Sequence, residues 1–440
     1  MQLKVVKFGG SSLADAVQFK KVYDIIKSDP SRRFVVPSAP GKRSKDDTKV
    51  TDMLYSCYSL AANGESIDEY FGFIEKRYNE IIDTLKIDMS LDNEFDLIRK
   101  SFALKAGKDY AASRGEYLNG LILAKYLGFD FVDPAEFIYF AEDGTLDAER
   151  TNMMLSDELK HHEYAVIPGF YGSMPNDTIK TFSRGGSDIT GSIVARAVGA
   201  DVYENWTDVD GFLMADPGII DSPNVIDTIT YRELRELSYM GATVLHEDAI
   251  FPVRFAGIPI NIRNTNNPGA KGTMIVATSS KDDGHGVITG IAGKKGFSTL
   301  TVEKDMMNAE IGFGRRVLEV FEKNEVCFEH LPSGIDTMSV VVSTNDLNKN
   351  KDKVLNGIFK AVTPDSMTVD DGIALIAVVG RGLVEAKGTA SRIIKAVSDA
   401  DVNLKMIDQG SSELNIIIGI NEDDFTKALK AIYYEFCPNK

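Results

Sequence analysis

The stretch VVKFGGSSL, residues 5–13, decides how the fold begins. A short apolar run typical of a buried strand leads into Lys7, the pair Gly9 and Gly10, and two serines. Glycines let a backbone approach a ligand closely, and a helix N-terminus after a strand offers free N–H groups to phosphate. The stretch therefore indicates either an anion site with a lysine beside it or a tight strand–helix turn with a surface lysine.

Further strands and helices alternate along the chain beyond this stretch. A buried strand is expected over 3–8, and a helix is expected to start at Ser12, with Asp15 in a capping-box position. Residues 53–127 read as a run of helices, followed by short apolar strands that alternate with helices. This pattern predicts one α/β domain over about 1–280, with a mainly parallel sheet and helices on both faces.

The C-terminal part contains a pattern that occurs twice. The segments EVCFEHLPSGIDTMSVVVS (325–343) and DVNLKMIDQGSSELNIIIG (401–419) each read as strand, Gly/Ser turn and strand, with an amphipathic helix on either side. A complete βαββαβ module is expected over 297–370, of the ferredoxin-like kind. The second copy lacks its last strand, so a strand at 287–293 is expected to complete a module formed with 373–440.

Composition narrows the function classes. The 440 residues carry a formal net charge of −16, with a pI of about 4.9, which argues against nucleic acid or an anionic membrane as the main partner. Cys57, Cys327 and Cys437 have no metal-ligand spacing, and an odd, sparse cysteine count fits a reducing compartment. We expect a cytoplasmic protein with no secretory signal, no membrane span and no metal site built from cysteine or histidine.

A second glycine pair repeats the features of the first. The stretch SRGGSD (183–188) places Arg184 before two glycines and a serine, with Asp188 in the first turn of the helix that follows. Open parallel sheets bind ligands at the carboxyl ends of their strands, so two such turns can hold two anions face to face. The alternative is that Arg184 is a surface residue in a turn.

Two further stretches carry weaker signals. In ENWTDVDGFLMADP (204–217), a strand ends at Thr207 and Asp208, and Asp216 follows in a loop. These side chains fit a nucleotide or Mg²⁺, although D-x-D-G is also ordinary turn chemistry. Glu116, early in an apolar helix, fits an ammonium group, or it only favours the helix N-terminus.

These motifs together resemble the aspartate kinases, within the amino-acid kinase (carbamate kinase-like) fold. KFGGSS, SAPG with KVTD, SRGE, SRGGSD, WTDVDG with ADP, and GATVLHEDAI occur in that family's order, and IDQGSSELNI resembles its second ACT domain. The resemblance covers essentially the whole chain. It implies a three-layer α/β/α catalytic domain, two ferredoxin-like ACT modules and a monofunctional kinase.

The resemblance implies that ATP, with Mg²⁺, phosphorylates the β-carboxylate of L-aspartate to 4-phospho-L-aspartate, the first step of lysine, threonine and methionine biosynthesis. A carboxylate nucleophile is already ionised at neutral pH, so no general base is needed. Positioning and charge neutralisation are then the main catalytic devices. The implied catalytic residues are Lys7, Arg184 and Asp188.

The resemblance also assigns binding residues. The implied nucleotide-binding set is Lys7, Phe8, Gly9, Gly10, Ser11, Thr207, Asp208, Leu213, Asp216, Gly218, Asn266 and Asn267. The implied aspartate-binding set is Ser38, Thr51, Glu116, Arg184, Gly185, Gly186, Ser187 and Asp188. The chain departs from the family pattern where Leu213 replaces an aromatic residue and Gly218 a basic residue, and Asn266 stands where some members have a lysine.

Regulation is expected in the ACT modules, where the family binds amino acids. The implied allosteric set is Met307, Glu310, Gly312, Phe313, Gly314, Cys327, Phe328 and Glu329. We expect lysine to inhibit, with threonine as a further candidate, in a homodimer or a dimer of dimers. The alternatives are a kinase for glutamate, uridylate or acetylglutamate, and a catalytically silent amino-acid sensor.

Overall fold

The structure is a computed structural model that describes residues 2–183, 185–242, 247–279 and 286–438. The chain folds into two compact units. The first unit comprises Met1–Phe212, Val225–Tyr231 and Thr243–Ser279, and the second comprises Leu213–Asn224, Arg232–Ala242 and Ser280–Lys440. Two short segments of the predicted 1–280 domain thus belong to the second unit, and the predicted domain boundaries stay a prediction.

A large sheet forms the centre of the first unit. Its strands are β1 Lys4–Phe8, β2 Arg32–Pro37, β3 Asp130–Phe131, β4 Ala165–Val166, β7 Val202–Thr207, β8 Thr228–Thr230, β9 Ile260–Asn264 and β10 Thr273–Val276, and a separate hairpin pairs β5 Tyr171–Ser173 with β6 Ile179–Thr181. The strand order is β3-β4-β2-β1-β7-β9-β10-β8. Only β9 and β10 pair antiparallel in this described sheet, so the predicted mainly parallel sheet is confirmed.

Helices lie on both faces of this sheet. The helices of the first unit are α1 Ala16–Lys27, α2 Val50–Ala62, α3 Asp68–Leu85, α4 Asp92–Ala103, α5 Lys108–Leu127, α6 Ala148–Leu159, α7 Gly186–Val198 and α9 Glu247–Ala256, whereas α8 Tyr231–Tyr239 belongs to the second unit from Arg232 onwards. Val6 and Phe8 pack in one core with α1 to α5. Successive side chains of a strand alternate between faces, so Lys7 lies on the opposite face, where α7 packs against β1.

The predicted helix start at Ser12 is wrong. Gly10–Leu13 form a short 3₁₀ turn, and α1 begins at Ala16 with Asp15 as its N-cap, whose carboxylate accepts a hydrogen bond from the Gln18 N–H at 3.0 Å. Ser12 instead turns inward and shares a 2.7 Å hydrogen bond with Thr265. The glycine pair therefore opens a tight turn, and this turn, not the start of α1, follows β1 directly.

The second unit contains one antiparallel sheet with helices packed on it. Its strands are β11 Gly290–Glu303, β12 Phe328–His330, β13 Thr337–Ser343, β14 Ser366–Val379, β15 Met406–Asp408 and β16 Asn415–Asn421, and its helices are α10 Phe313–Lys323, α11 Thr344–Val362, α12 Thr389–Asp399 and α13 Phe425–Phe436. The strand order is β12-β13-β11-β14-β16-β15. Two separate apolar cores lie in this unit, one with α10 and α11 and one with α12 and α13.

The strands expected at 287–293 and 297–303 are one strand, β11. A register shift between Lys294 and Phe297, where Gly296 has a φ of 91°, bends it without ending it. The first part of β11 pairs with Leu375–Val379, and the second part pairs with both β13 and the first half of β14. This is the pairing that insertion of one module into the other requires, and it supports the insertion as a proposal.

Among the residues that the structure describes, no helix combines the length and apolar character needed to cross a membrane.

Candidate active site

The glycine turn after β1 is held by backbone contacts on both sides. The Gly9 N–H donates to the Trp206 carbonyl at 3.0 Å, and the Ser38 N–H donates to the Phe8 carbonyl at 3.0 Å. A Cβ on Gly10 would lie 2.9 Å from the Ala39 carbonyl oxygen, so this position has no room for a side chain. The absence of side chains at the turn keeps its backbone accessible, as a phosphate-binding turn requires.

Lys7 is buried, with 7% of its surface exposed, and it contacts two polar side chains. Its Nζ lies 2.5 Å from Asp188 Oδ1 and donates to Asn205 Oδ1 at 3.4 Å. Asn205 Nδ2 in turn donates to Asp188 Oδ1 at 2.9 Å. The structure thus brings Lys7 and Asp188 of the predicted site together and adds Asn205, which the sequence reasoning missed.

Strand register explains the position of Asn205. Lys7 and Asn205 are direct partners in the parallel pair of β1 and β7, so their side chains share one face of the sheet. Asp188 reaches the same point from the first turn of α7. A signal existed in the sequence, because Asn205 lies within a strand that is expected to be buried, and a buried polar side chain needs a partner.

The start of α7 offers N–H groups to a ligand. Gly185 is the N-cap, in the left-handed region with a φ of 59°, and no side chain caps the helix. A Cβ on Gly186 would lie 2.3 Å from the ring of Phe170, and one on Gly169 would lie 2.6 Å from Ser187. Arg184, which the sequence places beside this turn, lies outside the described residues.

Glu116 on α5 is a buried carboxyl group, with 6% of its surface exposed. Burial raises its pKa to about 8. A hydrogen bond from the Ala39 backbone and the charge of Arg114 lower the pKa, but they only partly offset the effect of burial. Its Oε2 has no hydrogen-bond partner among the described residues. An unpartnered buried carboxyl group is suited to receive a ligand ammonium group.

Asn119, one helical turn beyond Glu116, is a second buried polar residue that the sequence reasoning missed. Its Nδ2 donates to the Ser38 carbonyl at 2.6 Å, and its Oδ1 has no partner in the described part of the chain. Glu116 and Asn119 therefore hold adjacent residues of the segment that follows β2. Thr51, also predicted to bind aspartate, lies in the first turn of α2.

The predicted nucleotide residues after β7 and β9 form a polar cluster. Thr207 Oγ1 donates to Asp208 Oδ1 at 3.1 Å, and Asn267 Nδ2 donates to Asp210 at 3.1 Å. Within the described ranges, Asp208 forms no ion pair with a lysine or an arginine. Asn266, which stands where some members of the family have a lysine, accepts a hydrogen bond from Lys21 Nζ at 2.8 Å.

Three predicted nucleotide residues, Leu213, Asp216 and Gly218, belong to the second unit. There the Gly218 N–H donates to Asp216 Oδ1 at 2.8 Å. The adjacent Met214 accepts a hydrogen bond from the Ile291 N–H at 2.7 Å through its carbonyl. This loop is thereby joined to β11, and its predicted contact with nucleotide stays a prediction.

The predicted allosteric residues lie in different environments and do not line one common site. Met307 lies in an apolar core, and Glu310 forms ion pairs with Lys304 at 2.7 Å and with Arg316. Gly312 is the N-cap of α10, with a φ of 79° and no side-chain cap, and Phe313 and Gly314 follow it in the first turn.

Cys327 and Phe328 differ from Glu329, the residue that follows them. Cys327 and Phe328 line a cavity of about 890 Å³ beside α10, and 45% of the Phe328 surface is exposed. Glu329 accepts a hydrogen bond from the hydroxyl of Tyr239, a residue of the second unit. Burial and that carboxylate raise the pKa of Tyr239 to about 12.

Comparison with known proteins decides the family. Residues 2–264, more than half of the chain, match the model of the amino acid kinase family, and residues 376–436 match an ACT domain. Aspartokinase 3 of Bacillus subtilis (strain 168) is 39% identical over 452 residues, which cover 99% of this chain and 98% of that protein.

The chain belongs to the aspartokinases. The crystal structure of aspartate kinase from Clostridium acetobutylicum, described as an allosteric enzyme, superposes with a TM-score of 0.90 at 50% identity, covering 99% of this aspartokinase and 100% of that chain. Structures of E. coli aspartokinase III, one with aspartate and ADP and one with lysine and aspartate, each give a TM-score of 0.72 at 22% identity, covering 99% of this aspartokinase and 100% of that chain. The E. coli structures show the shared fold alone.

Membership in this family confirms three predictions from the sequence: the aspartokinase resemblance, the combination of an amino-acid kinase domain with ACT structure, and kinase activity. The reaction of an aspartokinase is the ATP-dependent phosphorylation of aspartate.

In the described ranges, no group of three or more histidine, cysteine, aspartate or glutamate side chains is placed to hold a metal ion.

Proposed function

We propose that this aspartokinase transfers the γ-phosphoryl group of ATP to aspartate at the cluster of Lys7, Asn205 and Asp188. The contact of Lys7 with Asp188 carries the proposal, because it joins the two predicted anion sites at one point. The glycine turn and Lys7 would hold the phosphates of ATP. The start of α7 and Glu116 would hold aspartate.

Charge explains how these residues would promote transfer. Negative charge spreads over the transferred group and the bridging oxygen in the transition state, and a fixed buried cation stabilises it more than a solvated cation does. Asp188 and Asn205 hold the Lys7 ammonium group in one orientation before substrate arrives. The aspartate β-carboxylate needs no base, because it is ionised at neutral pH.

Glu116 would recognise the α-ammonium group of aspartate. In the free protein its raised pKa keeps much of it protonated at neutral pH. An ammonium group beside it would favour the carboxylate form, so binding would release a proton. Arg184, outside the described residues, is proposed to bind the α-carboxylate on the basis of the family resemblance.

Mg²⁺ would accompany ATP, held mainly by its phosphates, as Mg²⁺ usually is in kinases. The carboxylate of Asp208 fits such an ion, because it lies at the end of β7 and forms no ion pair in the described residues. The ion would neutralise phosphate charge. We assign it no ligand set made of protein side chains alone.

We also propose that lysine inhibits the enzyme by binding to the ACT modules, with threonine as a further candidate inhibitor. The uncapped N-terminus of α10 offers N–H groups to an α-carboxylate. Glu329 offers a carboxylate to a side-chain ammonium group, whereas Glu310 is already paired with two cations. The E. coli relative bound to lysine supports this assignment by analogy only. A homodimer or dimer of dimers is proposed with it.

The test is ADP release from MgATP with L-aspartate, L-glutamate or uridylate, each with and without lysine or threonine. We expect ADP to be released with aspartate but not with glutamate or uridylate. Lysine is expected to suppress the release that aspartate supports. Release with glutamate or uridylate instead would reject the substrate assignment. No turnover with aspartate, together with amino-acid binding, would favour the silent sensor.

A further inference from the structure

The connection between β2 and α2 lies against the glycine turn that follows β1. The Gly41 N–H of this connection donates to the Gly10 carbonyl at 2.8 Å. A Cβ on Gly41 would lie 2.6 Å from the Gly10 carbonyl carbon, and one on Gly10 would lie 2.9 Å from the Ala39 carbonyl oxygen. Two backbone segments thus touch directly, and the position of one determines the position of the other.

Arg77, on α3, holds the same connection from its other side. Its Nη2 donates to the Gly41 carbonyl at 3.0 Å and to Asp47 Oδ2 at 2.8 Å. Only 3% of the Arg77 surface is exposed. One guanidinium group therefore joins two points of the connection that are six residues apart in sequence.

Asp47 is itself fixed by the connection. The Arg43 N–H donates to it at 2.9 Å and Arg43 Nε at 3.0 Å. Burial opposes ionisation of Asp47, but the hydrogen bonds from Arg43 outweigh it and hold the pKa of this carboxyl group below its ordinary value. Asp47 is therefore an anion at neutral pH and a firm partner for Arg77.

Stability of the fold alone does not explain an arginine at position 77. Its Nε and Nη1 are buried without a hydrogen-bond partner in the described residues, beside a cavity of about 240 Å³. Unmet buried donors destabilise a fold, and well-packed apolar residues often replace buried ion pairs without loss of stability. The contacts that Arg77 does make are both to the connection that touches Gly10.

We propose that Arg77 is a positioning residue for phosphoryl transfer, because it holds Gly41 against Gly10 and so fixes the N–H groups of the phosphate-binding turn. The inference rests on the proposed function, in which that turn binds ATP. A small displacement of groups that hold a reacting phosphate lowers the rate steeply. No motif of the sequence marks Arg77, which lies within the amphipathic helix DEYFGFIEKRYNEIIDTL.

The test uses the full chain with Arg77→Met and Arg77→Lys. Arg77→Met is expected to lower kcat/KM for MgATP about 10- to 100-fold, with the KM for MgATP rising more than the KM for aspartate. Arg77→Lys keeps one donor and is expected to recover part of the loss. A purely structural role would reduce the folded fraction, which lowers kcat but leaves both KM values unchanged.

Arg99→Met is the matched control. Arg99, on α4, binds Glu75 through two hydrogen bonds of 3.0 Å and lies over the ring of Phe71, away from the connection. It is expected to leave both KM values unchanged.

Asp47→Asn is a second variant, which keeps the proposal testable if Arg77→Met does not fold. It weakens the same contact and is expected to raise the KM for MgATP in the same direction. Normal kinetics in folded Arg77→Met, or in Asp47→Asn when Arg77→Met does not fold, would overturn the inference. If Lys7→Met also keeps full turnover, the proposed site itself has failed. If only Lys7→Met is inactive, the positioning role alone is rejected.

Discussion

Lys7 Nζ lies 2.5 Å from Asp188 Oδ1, and Asn205 contacts both side chains. Lys7 comes from the first strand of the sheet, and Asp188 comes from the first turn of the helix that follows the second glycine pair. A buried cation is therefore fixed where the two predicted anion sites meet. The predictions below follow from this arrangement and from the groups around it.

Asn205→Ala is expected to lower kcat about 10-fold, because the Lys7 ammonium group loses one of its two fixed partners. Its effect should be smaller than that of removing Lys7. Asn261→Ala is a suitable control, since Asn261 lies on neighbouring β9 and its Oδ1 has no partner in the described residues. Steady-state kinetics at saturating MgATP and aspartate provide the measurement, and an unchanged kcat for Asn205→Ala would contradict the assignment.

Aspartate binding is expected to strengthen as the pH rises towards about 8. Glu116 is protonated below its raised pKa, and only the carboxylate form attracts an ammonium group. The profile of kcat/KM for aspartate should therefore rise through neutral pH and level off only above about pH 9, roughly one unit beyond this pKa, since this quantity reports groups of the free enzyme.

Glu116→Gln separates this ionisation from other pH effects. The variant should bind aspartate about 10- to 100-fold more weakly, because it loses a charge-assisted contact, and the rise with pH should disappear. A wild-type profile that is flat across this range would remove Glu116 from ammonium recognition.

Gly41→Ala is expected to lower kcat/KM for MgATP by about 100-fold. Its Cβ would lie 2.6 Å from the Gly10 carbonyl carbon, so the backbone of the turn must shift. Gly107→Ala is the matched control, because Gly107 has a φ of −66° and nothing lies within 4 Å of an added Cβ. Equal kinetics for the two variants would mean that the turn tolerates displacement.

Glu329→Gln is expected to raise the lysine concentration that gives half-inhibition by about 10-fold or more. The carboxylate is proposed to receive the lysine side-chain ammonium group in place of the Tyr239 hydroxyl. Glu325→Gln, four positions earlier at an exposed residue, should keep the wild-type response. Unchanged inhibition of Glu329→Gln would place the lysine site elsewhere.

The sequence was sufficient for the parts of the fold that depend on local pattern. Alternating strands and helices predicted the parallel sheet, and the first glycine pair marked the turn at the carboxyl end of β1. The second glycine pair instead follows β6, a strand of the separate antiparallel hairpin. The cap of α1 was misassigned because Ser12 and Asp15 are both good cap residues, and Ser12 lies inside a 3₁₀ turn that precedes the helix. Likewise, the sequence around Gly296 predicted the end of one strand and the start of another, whereas β11 bends there and continues.

Contacts between distant parts of the chain could not be predicted in this way. Lys7 and Asn205 are 198 positions apart, and their contact depends on β7 pairing directly with β1 in one register. Arg77 looked like an ordinary residue of an amphipathic helix, because its partner Gly41 lies in a connection without regular structure. The positions of Lys7 and Asp188 were predictable as separate sites, whereas the side chains that orient them required the fold.

The most direct measurement is aspartate-dependent ADP release by the wild type and by Lys7→Met, with thermal unfolding of both. Lys4→Met is the control on the same strand, where Lys4 pairs with Asp29 at 2.8 Å. The account predicts that Lys7→Met folds normally and that its kcat falls about 100- to 1,000-fold, while Lys4→Met stays active. Near-normal turnover of folded Lys7→Met would contradict it.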